Sequence, residues 1–170
     1  IFGIETFVCA DHNVWQNRRN YHLILLAKDL AGYKNLQYLS SKAYLEGFYY
    51  HPRIDKQLLK DHSQGVIGLS ACLGGEIAQT LLTHGYEQAK EMARGYASLF
   101  EPGDFYLEIQ PNGLADQDKV NEEWRRMSRE TGIPLVATGD CHYIHERDAK
   151  AQEVLMAIQQ GRTLTDDKRL

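Results

Sequence analysis

Five side chains of metal-ligand type interrupt otherwise apolar stretches: Glu5 in GIETF, His22 in YHLILLA, Cys72 in LSACL, and Asp140 with His142 in GDCHY. Carboxylate, imidazole and thiolate together make a donor set suited to zinc, manganese or iron rather than to calcium or magnesium alone. Asp140 and His142 are the closest pair in sequence. They follow the apolar run IPLVAT, and if that run continues as a strand, both side chains point to one face and Cys141 to the other. Each residue also has an ordinary use. Asp140 could cap a following helix while His142 is hydrogen-bonded in a loop; Glu5 could lie on a solvated strand face; His22 could be a satisfied core residue, and Cys72 a small buried hydrophobe.

The remaining polar features read more simply. Tyr106, Glu108 and Gln110 form a polar strand face, which makes Glu108 structural. His12, His51, His62, His84 and His145 fall in polar loops or helix ends and read as surface residues. No GxxxxGK[ST], strand-linked GxGxxG, GxSxG or HExxH pattern is present. LGGEIAQ at 73–79 could open a helix towards an anion but is too short a signature for a phosphate loop. The pairs Arg18–Arg19 and Arg125–Arg126 and the run FYYHPRIDK at 48–56 could touch nucleic acid, although short charge runs are usually solvated faces.

These residues must be positioned by alternating strands and helices. Apolar alternation and β-branched content predict strands at 2–8, 21–27, 66–70, 105–109 and 135–138. Helical spacing predicts a helix from an Asp29 cap to about Gly47, with Leu30, Tyr33, Leu36 and Leu39 on one side, and a short helix started by Asp55. Further helices are expected over 74–82, 86–100, 115–130 and 146–159, with stops at Gly85, Gly132 and Gly161. Such alternation implies an α/β fold with a mainly parallel sheet. In parallel α/β folds the functional side chains gather where strands end, which is where most of the five lie.

Composition sets the bounds. The chain has 170 residues, 43% of them hydrophobic and 25% charged, an ordinary globular balance. A net charge of −4 gives no whole-chain basic footprint for phosphate backbones. Three widely spaced cysteines without CxxC fit a reducing, cytoplasmic setting, and no apolar stretch approaches the roughly 20 residues of a membrane span. The strand-like opening IFGIETFVC, without Met or a polar arm, reads as a piece of a larger protein. The final GRTLTDDKRL reads as an exit segment, so residues 1–160 are expected to form one domain and 161–170 to lead out of it.

Several whole segments resemble one family. YHLILLAKDLAGYKNL (21–36), AYLEGFYYHPRID (43–55), GVIGLSACLGGEI (65–77), FYLEIQPNGL (105–114) and VATGDCHY (136–143) are similar to the polymerase and histidinol phosphatase (PHP) domain of bacterial replicative polymerase alpha subunits. The resemblance implies a distorted (β/α)7-like PHP barrel, here lacking its N-terminal part. It also implies up to three divalent metal ions at the strand ends, zinc or manganese, with magnesium serving the parent polymerase reaction. By the same resemblance Glu5, His22, Cys72, Asp140 and His142 fall on metal-ligand positions, with Asp140, His142 and Glu5 in catalytic roles. An early His-x-His segment of the family is not in this chain, and Gly139 stands where Asn is usual.

The activity so implied is metal-dependent 3′–5′ hydrolysis of DNA for proofreading, with Tyr49, Tyr50 and Arg53 available to a single-stranded end. Because a ligating thiol and imidazole must be unprotonated, metal binding is expected to weaken as pH falls. The polymerase carboxylates are expected beyond Leu170. The partners implied are DNA through the parent chain, a separate proofreading exonuclease subunit and other replicase subunits, with no membrane. Two other readings follow from the same residues: a non-catalytic docking module for the exonuclease subunit, and a free-standing phosphatase for small monoesters.

Overall fold

The computed structural model describes residues 1–14 and 19–165 and divides them between two units, Ile1–Thr138 and Gly139 onwards. Arg18, and the last part of the expected exit segment at 166–170, lie outside the described residues.

The first unit is a mixed α/β fold built on a six-stranded sheet. In chain order it runs β1 (Gly3–Cys9), β2 (Tyr21–Ala27), α1 (Leu30–Leu45), β3 (Arg53–Asp55), α2 (Lys56–Asp61), β4 (Val66–Leu69), α3 (Glu76–His84), α4 (Tyr86–Ala97), β5 (Phe105–Ile109), α5 (Ala115–Thr131) and β6 (Leu135–Ala137). The strand order is β3-β1-β2-β4-β5-β6. β1 and β3 are parallel, as are β4, β5 and β6, whereas β2 runs antiparallel to both its neighbours. That reversal brings the N-terminal end of β2 level with the C-terminal end of β1, with Phe7 opposite His22.

Local chemistry sets the helix ends. The Asp29 side chain accepts from the Gly32 N–H at 2.8 Å to start α1, and Asp55 accepts from the Leu58 N–H at 2.8 Å to start α2. Gly132, at φ +76°, supplies the left-handed residue that ends α5. On α1 the buried residues are Gly32, Leu36, Leu39 and Ala43; Leu30 is exposed, so the apolar stripe begins one turn later than the spacing suggested. The core joins Val8, Leu23 and Leu25 of the sheet to Leu39, Ile77, Ala93, Tyr96, Trp124 and Met127 of the helices.

The second unit is a loop leading to a 3-10 turn (Glu146–Asp148) and α6 (Ala149–Gln160), which ends on Gly161 at φ +63°. No helix among the described residues is long and apolar enough to cross a membrane.

Candidate metal centre

Antiparallel pairing builds the centre. In the β1–β2 ladder Phe7 faces His22 and Glu5 faces Ile24, so these four side chains project from one face, while Thr6, Val8, Leu23 and Leu25 project from the face buried under helices. On the first face, Nδ1 of His22 lies 2.6 Å from Oε1 of Glu5. The Phe7 ring stands edge-on to the imidazole, with centroids 5.2 Å apart. Cys72, just beyond β4, brings its sulfur to 3.7 Å from the same Nδ1.

The LGGE glycines position this sulfur and ring. The His22 N–H donates to the Gly74 carbonyl at 3.0 Å, and the Gly74 N–H donates to the Cys72 sulfur at 3.4 Å. A Cβ on Gly74 would meet the imidazole at 3.1–3.2 Å, tight enough to push the ring. The glycine pair is therefore a backbone clamp on His22 and Cys72. The hydrogen bond to the Cys72 sulfur raises the His22 pKa above its ordinary value; partial burial opposes this, and Glu5 adds to the rise. Beside the imidazole opens a polar cavity of about 500 Å³ lined by Arg19, Asn20, Gln79, Thr83 and His84 among others.

The donors suit a divalent cation. With metal–nitrogen and metal–sulfur bonds of about 2.05 and 2.3 Å, a tetrahedral N–S edge is about 3.6 Å, close to the observed spacing. The Glu5–His22 spacing is that of a hydrogen bond, so a cation would take the place of the shared proton. Glu5, His22 and Cys72 do not form a set whose ligand atoms all lie within 4.8 Å of one another. His22 stands between the other two.

Asp140 and His142 belong to the second unit, where both are exposed. β6 ends at Ala137, so the strand alternation expected to align them does not reach them. Asp140 adopts φ +46°, in the left-handed region, and its carbonyl lies 2.7 Å from Nδ1 of His142. Asp140 caps no helix; α6 begins at Ala149 with Asp148 ahead of it.

Three polar residues differ from their expected places. His12 is buried at 9% exposure, with Nδ1 2.5 Å from Oδ2 of Asp55. Burial alone would raise the Asp55 pKa, but the Leu58 N–H and His12 outweigh it and hold the carboxyl below its ordinary value. Arg53 is fully buried, its Nε donating to the Gly47 carbonyl at 3.0 Å, so it offers no surface to DNA. Glu108 is 3% exposed rather than on a solvated face. Its Oε1 accepts from Thr138 Oγ1 and from Gln110 Nε2, and its Oε2 is buried without a hydrogen-bond partner. Among the described residues, Asp11, His12 and Asp55 are the one group of three whose ligand atoms all lie within 4.8 Å of one another.

Comparison with known proteins agrees with this architecture. The family described as "PHP domain" matches residues 1–112. The chain is 47% identical over 182 residues to a protein of Helicobacter pylori named DNA polymerase III subunit alpha, covering 100% of this chain and 15% of that relative. It is 46% identical over 176 residues to the Thermus aquaticus protein of the same name, covering 99% of this chain and 14% of the relative. The Borreliella burgdorferi protein of that name is 45% identical over 175 residues, with coverage of 100% and 15%. The chain thus spans about a seventh of the length of the curated relatives it matches.

Proposed function

The chain belongs to the PHP domain family, and from that premise we propose that it is the PHP portion, residues 1–160, of a DNA polymerase III alpha subunit. Residues 161–170 lead towards the polymerase domains. We assign Glu5, His22, Cys72, Asp140 and His142 as ligands to zinc or manganese ions, and the domain's own activity as 3′–5′ hydrolysis of DNA ends in proofreading. The parent chain is then a DNA-directed DNA polymerase, a nucleotidyltransferase that uses magnesium in the cytoplasm, with DNA, a proofreading exonuclease subunit and other replicase subunits as partners. One observation carries the site assignment: Glu5, His22 and Cys72, from two strands and a loop, meet around one imidazole nitrogen.

When bound, divalent cations supply a water of lowered pKa and positive charge for the phosphodiester oxygens. The chain's residues prepare for this. The Gly74 N–H holds the Cys72 sulfur in place by a hydrogen bond. Edge contact with Phe7 and the backbone of Gly74 fix the plane of the His22 ring. The cavity lined by Arg19, Asn20 and Gln79 offers polar groups to a nucleotide beside the imidazole. Asp140 and His142 carry the catalytic roles together with Glu5.

The test is release of nucleotides from the 3′ end of single-stranded DNA by the full-length protein, before and after chelation. Activity that is lost on chelation, restored by zinc or manganese, and lost in Cys72→Ala and His142→Ala supports the reading. Bound metal without nuclease activity, unaffected by His142→Ala, would instead make the domain a docking module for the exonuclease subunit.

A further inference from the structure

The loop leaving β1 packs onto the start of α2, and a second set of donors converges there. Parallel pairing of β1 with β3 places Cys9 opposite Asp55, which brings the following Asp11 and His12 against the first turn of α2. Asp55 Oδ1 is committed to the Leu58 N–H at 2.8 Å, and this fixes the carboxylate so that Oδ2 faces His12 Nδ1 at 2.5 Å and the His12 N–H at 3.4 Å. Asp11 Oδ1 accepts from the Asn13 N–H at 2.9 Å, which holds its side chain over the same turn. Asp11 is exposed, whereas His12 and Asp55 are each 9% exposed, so the donors line a small recess with one open side.

Two carboxylates meet one imidazole in this recess, and one of them, Asp55, is largely out of solvent. Arg53, at the start of β3, donates from Nε to Gly47, and its guanidinium lies 5.3 Å from the centre of the Tyr49 ring. One nitrogen and two oxygens, with an open side for water, match a divalent transition-metal site of three protein ligands. Ligand atoms within 4.8 Å of one another lie a small side-chain rotation from a shell of metal–ligand bonds of about 2.0–2.2 Å.

We infer that Asp11, His12 and Asp55 form a second binding site for a divalent transition-metal ion, zinc or manganese in class, sharing no residue with the Glu5, His22 and Cys72 centre. It ties the exit of β1 to the start of α2 and so braces the β1 strand that carries Glu5. The site has no thiolate ligand, which gives it a distinct spectroscopic identity.

The test is cobalt(II) titration and zinc equilibrium binding on the metal-stripped full-length protein, comparing wild type with Asp11→Asn, His12→Gln and Cys72→Ala, with folding checked by near-UV circular dichroism. Asp11→Asn alters an exposed side chain and keeps the fold testable if His12→Gln does not. The expected result is that Asp11→Asn and His12→Gln each lose one equivalent of bound metal, or bind it at least tenfold more weakly, while keeping the near-ultraviolet sulfur-to-cobalt band. Cys72→Ala should lose that band and keep the other equivalent. Wild-type metal content and affinity in a folded Asp11→Asn protein would overturn the inference, as would loss of every equivalent in Cys72→Ala.

Discussion

His22 and Cys72, 50 positions apart, face each other at 3.7 Å between Nδ1 and Sγ. The contact exists because β2 runs against its neighbours. The start of β2 therefore meets the turn that follows β4, and the Gly74–Gly75 backbone closes over both side chains. A parallel β2 would put His22 at the other end of the sheet.

Gly74→Ala is the least invasive way to disturb this contact. The added methyl would meet the imidazole at 3.1–3.2 Å while leaving every ligand residue in place. Metal affinity should fall roughly tenfold or more, as when supporting residues around a metal are changed. Competition with a chelator of known affinity measures it, and an unchanged affinity would remove the clamp from the account.

Glu108 gives a stability prediction. Its Oε2 is already without a partner, and Oε1 relies on Thr138 and Gln110. Thr138→Val removes one donor to a buried carboxylate and should destabilise the fold by about 1–3 kcal/mol in urea unfolding. A cost near zero would show that the carboxylate is satisfied by other means.

Asp29 tests the cap of α1. Its side chain accepts the Gly32 N–H at 2.8 Å. Asp29→Ala should lower stability by about 0.5–2 kcal/mol, whereas Asp29→Asn should retain most of it. Equal losses in the two variants would mean that the charge, not the hydrogen bond, matters at this position.

Glu130 sets an acid response. The ammonium of Lys90, then the guanidinium of Arg126, hold its carboxyl at about 2, well below the ordinary range. A carboxylate depressed on folding contributes stability that is fully present above its unfolded pKa, about 4.3, and is lost as pH falls towards 2. Glu130→Gln should therefore flatten the dependence of stability on pH between roughly 4.5 and 2 and leave its shape near neutrality unchanged. Because Glu130 and Arg126 are exposed, added salt should shrink the difference. Parallel wild-type and variant curves through this window would contradict it.

Much of the fold was legible because local chemistry carried it. The residues of β2 and β5 follow from apolar alternation alone, and the caps at Asp29 and Asp55 from a side chain three positions ahead of the amide it accepts. β3 was missed because three residues containing an arginine give no alternation; Arg53 is buried through long-range pairing with β1 and its bond to Gly47. The reversal of β2 was also invisible, since alternation has no direction. His12 read as a turn residue in ADHN, and only the pairing of Cys9 with Asp55 buries it. Glu108 looked solvated because the groups that enclose its strand end, Thr138 and the Asn121 amide bonded to Gln110, come from later in the chain.

Of the ligand-type residues, Glu5 and Cys72 each lie close to the His22 ring, brought there by the reversal of β2 and the turn after β4. The alternation proposed for Asp140 and His142 stops three residues early, at Ala137, and the left-handed backbone of Asp140 sets their geometry instead.

Elemental analysis of the full-length protein, wild type beside a His22→Ala/Cys72→Ala double variant of equal Tm, tests the metal-centre assignment most directly. Stoichiometric zinc or manganese in the wild type, reduced by at least one equivalent in the variant, is the expected result. The same metal content in both would contradict it.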